Sequence, residues 1–194
     1  ADERVLTLTS LSPDSPGLAL GTAQGVVKRV TPDAPKGSTW DVIALKDGDE
    51  VVGAVELRTG EEELVFVTSD AQLLHFNASA VRPQGRGAGG MAGIRVAAGQ
   101  RVRFFGALDP ARDGVVVTVS GSADAIPGTD PGAIKVTPFA EYPGKGRGTA
   151  GVRAHRFLKG EDTLLLAWVG PADGRASAAN GVPIDLPPAE GRRD

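Results

Sequence analysis

Short apolar segments of strand length recur along the chain, and long amphipathic stretches do not. They are rich in β-branched and aromatic residues, and Gly, Pro, Asp and Ser clusters such as "SPDSPG", "KDGD" and "GTDPG" separate them. The segments are residues 5–9, 51–55, 64–68, 73–76, 102–105, 115–119 and 164–169. Because no 12-residue window shows a 3.6-residue apolar period, the pattern predicts an all-β fold.

Internal repeats specify the architecture further. Segment 86–100, "RGAGGMAGIRVAAGQ", overlays segment 147–161, "RGTAGVRAHRFLKGE", and residues 38–55 contain a third copy of its end. Upstream of these copies, "LALGTAQGVVKRV" at 18–30 matches "LVFVTSDAQLLHF" at 64–76, with a looser relative at 115–136. Each unit predicts strand, tight turn, strand, glycine-rich loop, strand, acidic turn and strand. Four strands in a repeat of this length are typical of propeller blades.

The repeat boundaries divide the chain into blades and partial blades. We expect an incomplete or small array of about three to four blades, in a chain of 194 residues that is an excised piece. The predicted parts are a closing strand of a preceding blade (1–15), three blades (16–60, 61–110 and 111–170), partial blade strands (171–187) and a disordered tail (188–194).

The charges are unevenly distributed, although the net charge is only −3. Residues 81–103 carry five arginines and no acid, residues 132–160 carry six basic residues and one acid, and residues 49–70 are strongly acidic. A fold that gathers the two basic windows would present a cationic face. The lack of cysteine excludes disulfides and thiol chemistry, and no apolar run approaches the roughly 20 residues that cross a bilayer.

The first basic window contains the spacing G-x-G-x-x-G at Gly85, Gly87 and Gly90. A dinucleotide site needs this motif between a strand and a helix, whereas here it runs into the strand-like "MAGIRVAAGQRVRFF". The same spacing recurs at the matching repeat position within 146–151, so we assign these glycines to the blade. Glycine permits tight strand crossings, but it also exposes backbone amides beside an arginine, which makes a phosphate cradle.

Other residues with chemical potential lack partners in the sequence. His75 and His155 lie in unrelated strand contexts without a second metal ligand nearby, and Tyr142 has no neighbouring metal-binding carboxylates. The glutamates at 61–63 indicate a solvated turn. We therefore predict no catalytic and no metal-binding residue in this chain.

Several of these segments together resemble a known family. "GTAQGVVKRV", "VRPQGRGAGGMAGIRV" and "KVTPFAEYPGKGRGTAGV" resemble repeats in the C-terminal domain of bacterial type IIA topoisomerase A subunits, the family of DNA gyrase and topoisomerase IV. The resemblance implies a β-pinwheel, a propeller-like disc of four-stranded blades whose basic rim binds and bends duplex DNA. It further implies a bacterial, cytoplasmic, nucleoid-associated protein. Catalysis, ATP and Mg²⁺ would belong to other parts of the parent complex, which include an ATPase B subunit and the rest of the A subunit.

Gyrase proteins of this family carry the heptapeptide Gln-Arg-Arg-Gly-Gly-Lys-Gly, called the box here, which they need for wrapping DNA. The degenerate copies here keep Gln84, Arg86, Gly87 and Gly90 in the first loop, and Arg147, Gly148 and Gly151 in the second. Neither copy is complete, so the resemblance favours a protein of the topoisomerase IV kind.

The resemblance and the charge pattern together give the candidate DNA contacts. The first group is Arg82, Arg86, Lys145 and Arg147, and the second group is Lys28, Arg29, Lys135 and Arg153. Binding to duplex DNA would be independent of sequence. The alternative is a propeller-like module that binds protein without binding DNA, and an enzyme with its own active site is a third possibility.

Overall fold

The computed structural model describes residues 4–10, 12–32, 36–125 and 132–191. Within these residues the regular structure is β, apart from two single 3-10 turns at Ala78–Ala80 and Phe139–Glu141. The strands form three blade-like sheets and one small hairpin. The prediction of an all-β fold is confirmed.

The first blade consists of β1 (Leu18–Thr22), β2 (Val26–Val30), β3 (Val51–Glu56), β6 (Pro83–Gln84) and β7 (Met91–Ala92). Its strand order is β3-β1-β2-β6, and β7 also pairs with β2. The turn between β1 and β2 contains Gly25 at φ 85°, and the matching turn of the next blade contains Ala71 at φ 61°. A left-handed residue at this point lets each pair of strands form a tight hairpin.

The second and third blades repeat this order. The second comprises β4 (Glu63–Thr68), β5 (Gln72–Asn77), β8 (Val102–Leu108) and β11 (Val152–Arg153), in the order β11-β5-β4-β8. The third comprises β9 (Gly114–Gly121), β10 (Ala133–Pro138) and β12 (Thr163–Pro171), in the order β10-β9-β12. A separate hairpin pairs β13 (Ala176–Ser177) with β14 (Pro183–Ile184).

Each of the first two blades takes its outermost strands from the following repeat. The short strands β6 and β7 lie in sequence between β5 and β8 of the second blade, yet they pair with β2 of the first. In the same way β11 lies between β10 and β12 of the third blade and pairs with β5 of the second. The blades are therefore joined by exchanged strands as well as by their connecting turns.

The opposite edges of the blades lie side by side, with β8 between β3 and β12. One apolar cluster joins the first two blades, and Phe66 and Phe105 lie at its centre with ring centroids 4.8 Å apart. A Cβ on Gly21 would lie 2.4 Å from Cγ of Phe105, so this glycine lets the ring of one blade rest on the backbone of the next. A second cluster, which includes Val67 and Leu164, joins the second and third blades.

The ends of the chain behave differently from the blades. Residues 4–10, within the segment expected to be a closing strand, form no β ladder with the described residues. Residues 188–191 of the expected tail hold no strand either, although the amide of Glu190 donates to the carbonyl of Val136 on β10 at 3.0 Å. Residues 1–3 and 192–194 lie outside the described residues. No helix in the described part of the chain is long and apolar enough to cross a membrane.

Candidate nucleic-acid interface

Two arginine–glycine loops occupy matching places on successive blades. Loop 1 (residues 82–96) contributes β7, whose Met91 faces Val27 of β2. Loop 2 (residues 143–153) contributes β11, whose Val152 faces Leu73 of β5. Val27 and Leu73 are equivalent in the repeat, so the structure confirms that the two sequence copies are also spatial copies.

The glycines of the loops fall into two groups. Gly90 and Gly151 have φ values of 82° and 78°, and a Cβ there would lie 2.6 Å from Cγ1 of Val26 and 2.2 Å from the carbonyl oxygen of Leu73. These two glycines seat the loops against their blades, which is a structural role. In contrast, a Cβ on Gly87 would meet no atom within 4 Å, and the same holds for Gly85 and Gly146. The space around these three glycines is therefore open, whereas Gly148, the loop 2 equivalent of Gly87, has its amide bonded to loop 1.

Loops 1 and 2 are bonded directly to each other. The amide of Gly148 donates to the carbonyl of Gly93 at 2.6 Å, and the amide of Arg95 donates to the carbonyl of Thr149 at 2.9 Å. The guanidinium of Arg147 adds a third bond at 2.7 Å, from Nη1 to the carbonyl oxygen of Ala92. The two loops thus form one continuous surface across two blades.

The first group of predicted DNA contacts lies on this surface. Arg82, Lys145 and Arg147 are exposed, and Arg153 of the second group is exposed beside them on β11. Arg86 is half-buried and lines a small cavity with Trp40 and Val42. The structure brings these five basic residues onto two bonded loops.

The other three members of the second group are withdrawn from the surface, fully for Lys28 and partly for Arg29 and Lys135. Lys28 is fully buried, and its Nζ donates to the carbonyls of Val42, Arg86 and Ala88. Burial lowers the pKa of Lys28. A side chain in this position faces the protein interior, so the expectation that Lys28 contacts phosphate conflicts with its placement.

Arg29 and Lys135 are half-buried and also donate to backbone carbonyls. Nη1 of Arg29 donates to the carbonyl of Ala78 at 3.1 Å, and Nη2 donates to that of Pro16 at 3.3 Å. Nζ of Lys135 lies 3.4 Å from the carbonyl oxygen of Ala154. These contacts give both side chains a structural role, because hydrogen bonds to carbonyls satisfy charged groups that are withdrawn from water.

Gln84, the first position of the degenerate box, is also directed inward. Its carbonyl accepts from the amide of Thr31 at 3.2 Å, and its side-chain oxygen is enclosed without a hydrogen-bond partner. This placement fits a residue that belongs to strand β6 more than one that reaches a ligand.

Arg95 and its repeat equivalent, Arg156, were not among the predicted contacts. Both side chains are exposed, and the backbone of Arg95 forms one of the bonds between loops 1 and 2. The overlay of segments 86–100 and 147–161 places the two arginines at the same position, so the repeat alone could have identified them as candidate contacts. They extend the basic surface beyond the boxes.

Both histidines are buried and hold blade structure. His75 lies between Oε2 of Glu63 at 2.7 Å and the carbonyl oxygen of Tyr142 at 3.0 Å, so it ties the start of loop 2 to the second blade. The ring of His155 contacts two hydroxyls, at 2.8 and 3.0 Å. Burial lowers the pKa of His155, nearby Glu161 raises it, and Lys135 lowers it further. Among the described residues, no group of three His, Cys, Asp or Glu side chains is placed to hold a metal ion.

Comparison with known proteins agrees with this geometry. The family model described as "DNA gyrase C-terminal domain, beta-propeller" matches residues 62–108 and 128–165. The DNA gyrase A protein of Escherichia coli K12 is 33% identical over 156 residues, which are 78% of this chain and 16% of that protein. The chain therefore spans about a sixth of this relative.

Two solved structures share the fold. The C-terminal domain of DNA topoisomerase IV superposes with a TM-score of 0.67 at 24% identity, over 81% of this chain and 47% of that one. The gyrase A C-terminal domain superposes with a TM-score of 0.64 at 20% identity, over 86% and 52% of the two chains. Exchanged strands, repeated arginine–glycine loops and these matches define a β-pinwheel. The chain belongs to the family of C-terminal domains of type IIA topoisomerase A subunits.

Proposed function

We propose that this chain binds duplex DNA along loops 1 and 2, without reading its base sequence. The observation that supports this most directly is the bonded pair of loops, which places exposed basic side chains and unobstructed glycine backbone on one surface. Membership of the topoisomerase A family supports the same function.

The chemistry of the surface matches a phosphate backbone. Guanidinium groups bind two phosphate oxygens at once, and open glycine amides let an anion approach closely. Contacts of this kind fix a duplex in place but carry no base information, so binding is expected to be independent of sequence. The net charge of −3 would then have little effect on DNA affinity, because the positive charge is concentrated on loops 1 and 2.

Salt dependence tests this proposal. If Arg82, Arg86, Lys145, Arg147 and Arg153 each neutralise one phosphate, log K should fall with log salt at a slope of about −4.5. The affinity would drop by roughly 500-fold between 50 and 200 mM salt. Fluorescence anisotropy with a labelled duplex measures this directly. A flat salt dependence would contradict the electrostatic interface.

Replacement of the two box arginines tests the site. Arg86→Ala together with Arg147→Ala should weaken binding by a similar factor on duplexes of unrelated sequence. The matched control replaces Arg112 and Arg175, which are exposed in the turns after β8 and β12, and this control should leave the affinity nearly unchanged. A loss confined to one DNA sequence would indicate base readout instead.

The role in the parent protein extends the proposal. We propose that the domain is not itself catalytic, and that it bends or wraps duplex DNA and presents it to the catalytic core of the parent topoisomerase. ATP and Mg²⁺ would be used by the parent complex with its B subunit, in the bacterial cytoplasm at the nucleoid. The incomplete boxes favour a protein of the topoisomerase IV kind. Ligation of a nicked circle in the presence of this chain, followed by topoisomer analysis, would measure any wrapping and its handedness.

A protein-binding module is the second candidate. Its support is a set of exposed apolar side chains on the third blade, where Leu165 and Leu166 of β12 are 43% and 49% exposed. Exposed apolar surface is more typical of contacts with protein than with DNA. Leu165→Ser with Leu166→Ser should leave DNA affinity unchanged if loops 1 and 2 are the interface. Absence of DNA binding by the wild-type chain would favour the second candidate.

A further inference from the structure

Lys28 is among the largest fully buried side chains of the described residues, although it carries an ammonium group. Its Nζ donates to the carbonyl oxygens of Arg86 and Ala88 in loop 1, at 2.8 and 2.7 Å. It also donates to the carbonyl oxygen of Val42 at 2.8 Å, in the corresponding segment of the preceding repeat. A lysine ammonium has three donors, and all three are used here.

These three bonds fix the arginine end of loop 1. Arg86 is one of the box arginines, and its own carbonyl is among the acceptors. The carbonyl of Ala88 also accepts from the amide of Ala44 at 3.3 Å, so the ammonium lies where two successive repeats meet. Beyond Ala88 the loop is seated by Gly90, but the glycines on either side of Arg86 have open surroundings. Lys28 therefore restrains the backbone around Arg86, which the packing of Gly90 does not hold.

In the other blades, the carbonyl equivalent to that of Val42 is bonded by different donors. The repeat equivalent of Lys28 in the second blade is Leu74, which has no donor. There the carbonyl equivalent to that of Val42, from Gly93, accepts from the amide of Gly148 instead. In the third blade the equivalent residue is Lys135, whose Nζ faces the carbonyl of Ala154, again the equivalent of Val42. In the first and third blades, a lysine at this position thus donates to a carbonyl that follows the glycine-rich segment, and in the second blade a backbone amide takes its place.

We propose that Lys28 is a positioning residue for DNA binding, which holds the Arg86 segment of loop 1 in its binding geometry through three carbonyl contacts. It does so without touching DNA. This inference rests on the proposed function for its effect on affinity, but the restraint on the loop can be measured without DNA.

The absence of cysteine allows the ammonium to be removed and restored at this one position. Lys28→Cys is unfolded, alkylated with 2-bromoethylamine or with 1-iodopropane, and refolded. The first reagent gives an aminoethyl thioether, a lysine analogue with its ammonium, and the second gives a side chain of the same length that ends in a methyl group. Hydrogen exchange of residues 84–92 and DNA affinity are then compared.

We expect the aminoethyl form to match the wild-type chain in both measurements. The propyl form should exchange faster in loop 1, because the carbonyls of Arg86 and Ala88 each lose the ammonium as a donor, and should bind DNA about tenfold more weakly. If the propyl form does not fold, a hydroxyethyl thioether from 2-bromoethanol replaces it, and its loop protection should lie below that of the aminoethyl form. Equal protection and equal affinity in charged and neutral forms would overturn the proposal.

Two comparisons separate the remaining explanations. Leu74→Cys, treated identically, should show the reverse order, because an ammonium there is buried without these carbonyls. If the propyl form of Lys28→Cys loses affinity and its salt slope falls by about 0.9 while loop 1 stays protected, Lys28 is a direct phosphate contact and the proposal fails. If loop protection depends on the ammonium but even the wild-type chain does not bind DNA, the restraint stands and the proposed function fails.

Discussion

The carboxylate of Glu62 lies against three backbone amides in the turn between β3 and β4. Oε1 accepts from Arg58 at 2.6 Å and from Thr59 at 2.9 Å, and Oε2 accepts from Gly60 at 2.9 Å. Burial raises the pKa of Glu62, but the amide bonds outweigh it and lower the pKa overall. The expected solvated turn at 61–63 is therefore wrong for Glu62, which is 7% exposed.

This turn gives a prediction about stability. Glu62→Gln should lower the free energy of unfolding by about 2 kcal/mol at pH 7, since amide bonds to a charged acceptor are lost. Because the folded pKa lies below the usual 4.5, the wild-type advantage is full above that pH and disappears as the pH falls through the folded pKa. Urea unfolding at pH 7 and near pH 3 measures both effects. Glu61→Gln, on the exposed neighbour, is the control and should be neutral at both pH values.

Single residues also differ in how far the sequence could place them. Arg82, Arg147 and Arg153 lie at the surface, as their predicted contact with DNA requires, because charged residues seldom become fully buried. Lys28 and Arg29 are basic residues as well, yet a strand side chain can face either way. Their acceptors lie in other parts of the chain, at Val42, Arg86 and Ala88 for Lys28 and at Pro16, Ala78 and Val81 for Arg29, and such non-local contacts leave no local pattern.

At the scale of elements, the sequence predicts the strands but not the exchange of short strands between blades. β4, β8 and β12 carry apolar, β-branched runs that are long enough to show a period. A strand is predicted after each glycine-rich loop, and β7 and β11 lie there, but with two residues each they carry no pattern that reveals their partners in the preceding blade. Residues 5–9 are an apolar run that predicts a strand, but they form no ladder with the described residues.

Glycine substitutions test the seating of the exchanged strands. Gly151→Ala should destabilise the chain by about 2 kcal/mol or more, because φ is positive and a Cβ would overlap the carbonyl of Leu73. Gly87→Ala is the matched control in the equivalent loop and should leave stability unchanged, since its surroundings are open. Thermal unfolding followed by circular dichroism is sufficient. Equal midpoints for the two variants would show that β11 is not seated as described.

At the scale of the whole molecule, the question is whether the blades unfold together. The two tryptophans report on opposite parts of the array: Trp40 lies near the first blade, and Trp168 lies on β12 of the third. Trp40→Phe and Trp168→Phe therefore give two single-tryptophan proteins. Because exchanged strands and shared cores couple the blades, we expect both to show the same urea midpoint. Separate midpoints would mean that the blades unfold as independent units.

Strand exchange also sets an order of events during synthesis. The long strands of the first blade end at Glu56. Its outer edge, called its rim here, is completed by β6 and β7 only when the chain has been made as far as Ala92. Since translation adds about 5–20 residues each second, that rim stays open for seconds at the ribosome. The second blade likewise waits for Arg153. A nascent chain of this kind always carries one unfinished edge, and its last repeat to emerge completes the blade made before it.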